Sequence, residues 1–201
     1  MTLRTDLALI SDWISPGSRV LDLGCGDGAL LAHLQAERGV RGYGLEIDDA
    51  NIVECMRTHL NVVQRDLNEG LHDFRSEAFD YLIMTQTLQA VRYPDRLLKE
   101  MLRIGREGIV TFPNFAHWKA RFYLAMGGRM PVSRALPNEW YNTPNIHLCT
   151  IKDFERLCRN NGIRVLDRAV VDVTHRETGL MRLAPNLLGE IAIYRLCRQP
   201  A

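Results

Sequence analysis

Three features are missing from the 201-residue sequence: paired cysteines, a basic leader ahead of a hydrophobic run, and a long apolar segment. The five cysteines are odd in number and widely spaced, and they contain no CxxC pair, so we expect neither a disulfide framework nor a metal site. Asp6 and Asp12 interrupt the apolar start of the chain. No window approaches the roughly 20 apolar residues needed to cross a bilayer. We expect a cytoplasmic protein.

A strong charge of either sign is also missing. The formal net charge is +1, which gives no overall field toward nucleic acid or an anionic membrane, so we expect neither as a partner. Apolar residues make up 46% of the chain and charged residues 24%, as in ordinary globular proteins. With no repeat, low-complexity tract or linker, residues 1–201 are expected to form one domain.

Strand and helix patterns alternate along the first half of the chain. After a helix at 5–14, strands are predicted at 19–23, 42–47, 62–65, 81–84 and 108–112, with helices at 29–37, 50–58 and 94–104. This βα alternation predicts a parallel sheet. A helix at 151–160, with Thr150 as its N-cap, precedes two strands at 164–173 and 190–198 that are joined by a loop, which predicts an antiparallel end of the sheet.

The string VLDLGCGDG at 20–28 leads from a strand through a glycine-rich turn into a helix. Gly24, Gly26 and Gly28 allow a sharp turn and a close approach of backbone to ligand. The same stretch satisfies the looser G-x-G-x-x-A pattern of dinucleotide binders. Asp22 argues against that alternative, because its charge would face a pyrophosphate, and it favours a ligand with a cationic end.

Two more acidic residues follow at strand ends, Glu46 in YGLEID and Asp66 in QRDL. At the carboxyl edge of a parallel sheet they would line one crevice with Asp22, where Glu46 would accept ribose hydroxyls and Asp66 an adenine amino group. The alternative is that such acids only cap turns. Cys25 is interpreted as a small filler of the turn rather than a nucleophile. The predicted site consists of Asp22, Gly24, Cys25, Gly26, Gly28, Glu46, Ile47, Asp66 and Leu67.

These ordered motifs, together with FDYLI at 79–83, resemble the class I S-adenosylmethionine-dependent methyltransferases. The resemblance implies an α/β, Rossmann-like fold. Its sheet would have seven mostly parallel strands with an antiparallel last strand, and helices would cover both faces. It also implies that the cofactor is S-adenosylmethionine or S-adenosylhomocysteine.

QTLQAV at 86–91, FPNFAHW at 112–118 and LPNEWYNTPNIHLCTIKDFE at 136–155 resemble the MetW family of methionine biosynthesis proteins more closely. That resemblance implies an accessory role beside a MetX-type homoserine O-acyltransferase. The ligand would then act as a signal. The alternatives are a small-molecule methyltransferase and a purely structural subunit, since methyl transfer is not established by the resemblance.

The segment 113–149 is predicted to cover the crevice and to dock a partner. Tyr141 and His147 are weak candidates for catalytic residues that contact an acceptor, against the alternatives of a packing tyrosine and a loop histidine bonded to backbone. Within it, residues 115–137 are basic: Lys119, Arg121, Arg129 and Arg134 occur without an acid between His117 and Pro137. Trp118, Phe122, Ala125 and Met126 would share one helical face, typical of a docking helix or of an ordinary surface helix packed on the sheet.

Overall fold

The computed structural model describes residues 5–172, 174 and 178–199. Strands of three to nine residues alternate with helices up to the fifth strand, as predicted, except between the third and fourth strands, where no helix was predicted and only a 3₁₀ turn occurs. The elements are α1 (Thr5–Trp13), β1 (Arg19–Leu23), α2 (Ala29–Arg38), β2 (Arg41–Glu46), α3 (Asp49–Arg57), β3 (Val62–Gln64), β4 (Phe79–Thr85), α4 (Pro94–Ile104), β5 (Gly105–Pro113), α5 (Trp118–Gly127), α6 (Ile151–Asn160), β6 (Ile163–Val171), α7 (Gly179–Leu183), α8 (Pro185–Leu188) and β7 (Ile191–Arg198).

The seven strands form one sheet in the order β3-β2-β1-β4-β5-β7-β6. Strands β1 to β5 pair in parallel, whereas β7 pairs antiparallel with both of its neighbours. The predicted fold class, mostly parallel with an antiparallel last strand, is confirmed. The antiparallel strand is inserted between β5 and β6, so that β6 and not β7 occupies the edge.

Alternate side chains of the central strands enter two separate cores, one on each face of the sheet. In β1, Leu21 and Leu23 join the core under α4 and α6, while Val20 joins the core under α1 and α2. Strands buried on both faces read as nearly continuous apolar runs, which is why these segments do not alternate in polarity. The helices therefore cover both faces, as predicted.

Caps fix where helices begin. Thr150 accepts a hydrogen bond from the amide of Asp153, so the predicted N-cap of α6 is confirmed, and Asp48 accepts from the amides of Ala50 and Asn51 at the start of α3. A short 3₁₀ turn, Leu67–Glu69, begins at Asp66. These caps leave the residues just before them at the carboxyl edge of the sheet.

The C-terminal part differs from the prediction in one respect. The two last strands were expected to be joined by a loop alone, but α7 and α8 lie between them. These helices have only five and four residues, so they lack the length over which helical periodicity is recognisable. Val173, the predicted end of the sixth strand, lies outside the described residues. In the described ranges, no helix is long and apolar enough to span a membrane.

Three aromatic rings in mutual contact hold the inserted strand against α6, with Phe112 and Tyr194 stacked and Phe154 tilted against both. Phe154 lies with its ring centroid 4.8 Å from that of Phe112 on β5 and 4.7 Å from that of Tyr194 on β7. All three side chains are fully buried. The contact joins a helix to two strands that are distant in sequence, so we expect it to be a main source of stability for the C-terminal half.

Replacing Phe154 with alanine should destabilise the protein by about 3–5 kcal/mol, because it removes a buried ring and leaves a cavity between α6 and the sheet. Urea unfolding followed by circular dichroism measures the change. The matched control is Phe122→Ala on α5, where the ring is 61% exposed, and it should change stability by less than about 0.5 kcal/mol. Equal losses in the two variants would contradict the role given to the aromatic cluster.

Candidate functional site

The turn between β1 and α2 is built from glycines in the left-handed region. Gly24, Gly26 and Gly28 have φ values of +75°, +56° and +77°, which other residues rarely adopt. A Cβ on Gly24 would lie 2.7 Å from the hydroxyl oxygen of Thr87, and one on Gly28 would lie 2.3 Å from a Leu60 methyl group. A Cβ on Gly26 would meet nothing within 4 Å. The outer glycines therefore serve packing, while Gly26 leaves the mouth of the turn open.

Asp22 lies on the central strand β1, two residues before this turn, and its side chain is only 1% exposed. Its Oδ1 atom is buried without a hydrogen-bond partner. Burial, with a smaller contribution from the charge of Glu46, raises the pKa of Asp22 to about 7 from its ordinary value of 3.8. A buried carboxylate with an unsatisfied oxygen is costly, and a cationic ligand group placed beside it would remove that cost.

Glu46 joins the glycine turn to the end of β2. Its Oε2 accepts from the Gly26 amide at 2.7 Å, and its Oε1 accepts from the amides of Ile47 and Asp48 at 2.8 and 3.0 Å. A carboxylate has about four acceptor positions, so three amides leave about one free. To accept both hydroxyls of a ribose, as predicted from the sequence, Glu46 would have to release one of these amides.

Asp66 and the two apolar neighbours complete the predicted set. The Oδ1 atom of Asp66 accepts from the backbone amide and the side-chain amide of Asn68, both at 2.8 Å, which is the turn-capping role that the sequence left as an alternative. Ile47 is largely exposed beside Glu46, as a residue at the mouth of a crevice would be. Leu67 packs instead against the core under α4.

Cys25 lies beneath the turn. Its Sγ atom is 3.9 Å from that of Cys55, and it occupies the space that a side chain on Gly44 would need, since a Cβ there would lie 2.4 Å from the sulfur. Burial, with the negative charge of Asp22, raises the pKa of the Cys25 thiol. A thiol that stays protonated is a poor nucleophile, which agrees with the interpretation of Cys25 as a filler.

The loop after β4, which contains the QTLQAV string, was not among the predicted site residues. Gln86 has a left-handed φ of +55°, an unusual conformation for a residue other than glycine, and its amide donates to the backbone and side chain of Thr111. Thr87 packs against Gly24. The contact between Thr87 and Gly24 places this loop against the glycine turn. Only the dihedral angle reveals the strain at Gln86, because neither residue type signals it.

The two weak catalytic candidates lie in the segment after β5. His147 is exposed, and its Nε2 atom is 3.3 Å from the carbonyl oxygen of Arg92, so it is a loop histidine bonded to backbone. Tyr141 is 70% exposed and packs edge-on against Trp140. Within the described ranges, no hydrogen bond or ion pair links either residue to Asp22 or Glu46. Closure of the crevice by this segment therefore stays a prediction.

Helix α5 differs from the one-sided amphipathic helix that the sequence predicted. None of its residues is buried, and Tyr123 and Leu124, which lie outside the predicted apolar face, are exposed like Phe122. The alternative of a surface helix packed on the sheet is wrong for the same reason. Of its cations, Lys119 pairs with Glu190 at 3.2 Å, and Arg121 donates to the carbonyl oxygen of Ala116.

The candidate site therefore lies at the carboxyl edge of β1 and β2, where Glu46 holds the Gly26 amide, space is open at Gly26 and the Asp22 carboxylate is buried. In a parallel sheet, ligands bind at this edge. The arrangement suits a ligand with a positively charged end over Asp22 and hydroxyl donors near Glu46. In the described part of the chain, no three histidine, cysteine or acidic side chains gather as they would around a metal ion.

Strand order and glycine turn together define the fold of the class I S-adenosylmethionine-dependent methyltransferases. A methyltransferase of this type from Archaeoglobus fulgidus superposes with a TM-score of 0.71 at 15% identity, covering 96% of this chain and 91% of that one. One from Mesorhizobium loti gives a TM-score of 0.70 at 15% identity, covering 96% and 98%. Such distant similarity shows the fold alone.

Within this class, the model of the methionine biosynthesis protein MetW family matches residues 4–196, and the chain belongs to that family. A bifunctional methionine biosynthesis protein MetXA/MetW from Rhodopirellula baltica is 35% identical over 99% of this chain, which spans 33% of that relative. A ubiquinone biosynthesis O-methyltransferase from Hahella chejuensis is 28% identical over 62% of this chain and 56% of its own length. The chain thus spans a third to about half of these relatives.

Replacing Asp22 with asparagine should stabilise the ligand-free protein above pH 7. Because the pKa of Asp22 is raised on folding, the folded state binds more protons between pH 3.8 and 7, and stability declines as the pH rises through this window. Removing the charge should recover up to about 4 kcal/mol at pH 8 and almost nothing at pH 4. Urea unfolding at both pH values measures the difference.

The control is Asp80→Asn, since hydrogen bonds from Arg19, chiefly from its backbone amide, lower the pKa of Asp80. That variant should be less stable than the unmodified protein at pH 8, whereas Asp22→Asn, the same chemical change, should be more stable. Destabilisation by Asp22→Asn at pH 8 would contradict the assignment of Asp22 as an uncompensated buried carboxylate.

Proposed function

We propose that this chain binds S-adenosylmethionine or S-adenosylhomocysteine as an accessory protein of methionine biosynthesis that associates with a MetX-type homoserine O-acyltransferase. The observation that carries the ligand assignment is the buried Oδ1 atom of Asp22, which lacks a partner beneath an open glycine turn. The membership of the MetW family supports the pathway.

The chemistry of the ligand fits the crevice. The amino-acid end of S-adenosylmethionine has an α-ammonium, which would supply the positive charge that Asp22 lacks. The open space above Gly26 allows the ligand to approach the backbone closely, and Glu46 would accept ribose hydroxyls after exchanging one amide. When bound, S-adenosylmethionine supplies an electrophilic methyl group. Nothing in the accessory role requires that this group be transferred.

The relative from Rhodopirellula baltica supports the partner. It unites a MetW part, to which this chain is 35% identical, with a MetXA part in one polypeptide. Fusion keeps two domains at a high effective concentration, which benefits domains that act together. We infer that a separate chain of this family meets a separate acyltransferase, and that the two associate without a covalent link.

Segment 115–137 is the proposed docking surface. Its apolar side chains, more than its charged ones, would contact the partner. Trp118, Phe122 and Met126 are all exposed on α5, an accumulation of large apolar groups that soluble surfaces rarely carry without a partner. Of the four cations in this segment, Lys119 and Arg121 are held by internal partners. Burial of aromatic and methionine side chains would therefore provide most of the affinity.

Isothermal titration calorimetry should detect binding of both S-adenosylmethionine and S-adenosylhomocysteine. Asp22→Asn and Glu46→Gln should each weaken binding about ten- to hundredfold, since each removes a charged hydrogen-bond acceptor. Glu54→Gln is the control, because Glu54 lies on the outer face of α3 paired with Arg57 and should leave affinity unchanged.

The pH dependence of the ligand affinity gives a second test of the pairing between Asp22 and the ligand ammonium. Because Asp22 must be ionised to receive the ammonium, affinity should fall about tenfold per unit as the pH decreases below about 7, and it should lose this dependence in Asp22→Asn. Methylthioadenosine lacks the amino-acid end, so its affinity should not depend on pH in this range. Affinity of S-adenosylhomocysteine that is independent of pH between 5 and 8 would be evidence against the proposed pairing.

Docking is tested by co-purification of the chain with the homoserine O-acyltransferase of the same organism. Phe122→Ala and Met126→Ala should each weaken the complex about tenfold or more, because they remove central apolar contacts. Met56→Ala is matched to Met126→Ala, since both methionines are exposed on helices, at 64% and 75%, and it should have no effect. Equal weakening by all three variants would point to a docking surface elsewhere. Absence of any complex with the unmodified chain would refute the partnership.

Small-molecule methyl transfer is the second candidate function, and the O-methyltransferase relatives favour it. It differs in requiring an acceptor and, for a protonated acceptor, a base. Formation of S-adenosylhomocysteine when purified protein is incubated with S-adenosylmethionine and a metabolite extract distinguishes the two functions. The Asp22→Asn variant serves as the control for activity that does not depend on the crevice.

A further inference from the structure

A second cavity lies away from the glycine turn, between α5, the turn at 131–136 and the end of β5. Its volume is about 620 Å³, within the range of small-molecule sites. None of the residues predicted to hold the nucleoside ligand lines it. It is therefore separate from the nucleoside site, and the ligand proposed below does not depend on the nucleoside ligand, although its α5 wall belongs to the proposed docking surface.

The walls of the cavity are mostly apolar. Aromatic side chains of α5 form one side, and aliphatic side chains of the 131–136 turn form the other. A site of this kind recognises a bulky apolar body and leaves orientation to a few polar groups. The apolar wall residues are Pro113, Trp118, Phe122, Tyr123, Val132 and Leu136.

The polar groups at one side of the cavity cancel in charge. Glu190, with a side chain only 12% exposed, lies 3.2 Å from the Lys119 Nζ atom and 3.7 Å from the His117 Nε2 atom. Burial lowers the pKa of His117, so its ring is neutral at physiological pH, although Glu190 opposes the shift. Lys119 thus balances Glu190. The side-chain amide of Asn114 donates to two backbone carbonyl oxygens, and its side-chain oxygen accepts from the Ala116 amide, so both groups already have partners.

Arg134 is the remaining charge. It lines the cavity from the 131–136 turn, and it makes no ion pair or hydrogen bond with the described residues. A guanidinium is well suited to a carboxylate, which it binds through two parallel hydrogen bonds. The cavity therefore combines apolar walls that are partly open to solvent with one exposed cation for which the described residues supply no partner.

We propose that this cavity binds a small organic monocarboxylate with a bulky apolar body, the carboxylate pairing with Arg134 and the body lying between Trp118, Phe122 and Leu136. A zwitterion or a cation fits less well, because Glu190, the one carboxylate among the described residues that line the cavity, is already paired with Lys119. The site takes a metabolite-sized ligand rather than a nucleotide, since it has a single cation to offer.

The test uses dansylphenylalanine, which is fluorescent, apolar and singly negative, and its carboxamide, which has the same body without the charge. The carboxylate should bind the full-length protein about tenfold or more tightly than the carboxamide. Arg134→Gln should abolish this preference, and Arg129→Gln, a nearby exposed arginine outside the cavity lining, should retain it. In heteronuclear NMR spectra, the indole resonance of Trp118 should shift, and those of Trp13 and Trp140 should not.

Equal affinity for the carboxylate and the carboxamide would overturn the proposal, as would a comparable effect of Arg129→Gln. Equal shifts of all three indole resonances would mean unspecific adsorption to exposed apolar surface, which also overturns it. A cavity-filling variant, Ala120→Phe, should block binding and leave the unfolding curve close to that of the unmodified protein, because Ala120 is only partly buried and lines the cavity. Binding that persists in this variant would place the ligand elsewhere.

Discussion

The carboxylate of Glu46 joins two turns of backbone that end the paired strands β1 and β2, in addition to the hydrogen bonds that the Gly24 and Cys25 amides donate to the Leu45 carbonyl. One oxygen accepts from the Gly26 amide of the glycine turn, and the other accepts from the two amides that lead into α3. These turns end neighbouring parallel strands, so their amide groups point to the same edge of the sheet and need acceptors. Glu46 therefore fixes the glycine turn against the start of α3, while the pairing of β1 with β2 and β4 places Asp22.

Asp22 and Glu46 are two carboxylates of one candidate site that lie in different environments. Glu46 is surrounded by donors, whereas Asp22, on the central strand between Gly44 and Ile83, is closed in by apolar neighbours and has an oxygen without a partner. The environment satisfies one acid and leaves the other in need of a cation. The buried charge of Asp22 lowers the stability of the ligand-free protein, as ligand sites often do. The same charge is needed to bind a cationic ligand, so a change at Asp22 that improves stability should weaken binding.

The second half of the chain completes the sheet and then presents large apolar side chains to solvent. The aromatic cluster of Phe112, Phe154 and Tyr194 fixes the inserted strand, and the segment after β5 then extends outward with its large side chains exposed. The solved methyltransferases that superpose on this chain share its fold, so the proposed partner docking rests on the exposed apolar side chains of α5. The same helix forms a wall of the second cavity, so the proposed docking surface and the proposed ligand site share residues of α5.

The sequence by itself determined the order of strands and helices, the glycine turn and the acids at three strand ends, because periodicity, capping and φ preferences are local properties of the chain. It also predicted the inserted antiparallel strand through a family resemblance. It did not reveal that Glu46 is held by three amides, that Gln86 is strained, that α7 and α8 interrupt the last connection, or that α5 buries none of its residues. Those features were decided by the tertiary structure alone, because hydrogen-bond partners and burial depend on which distant segments pack against each side chain.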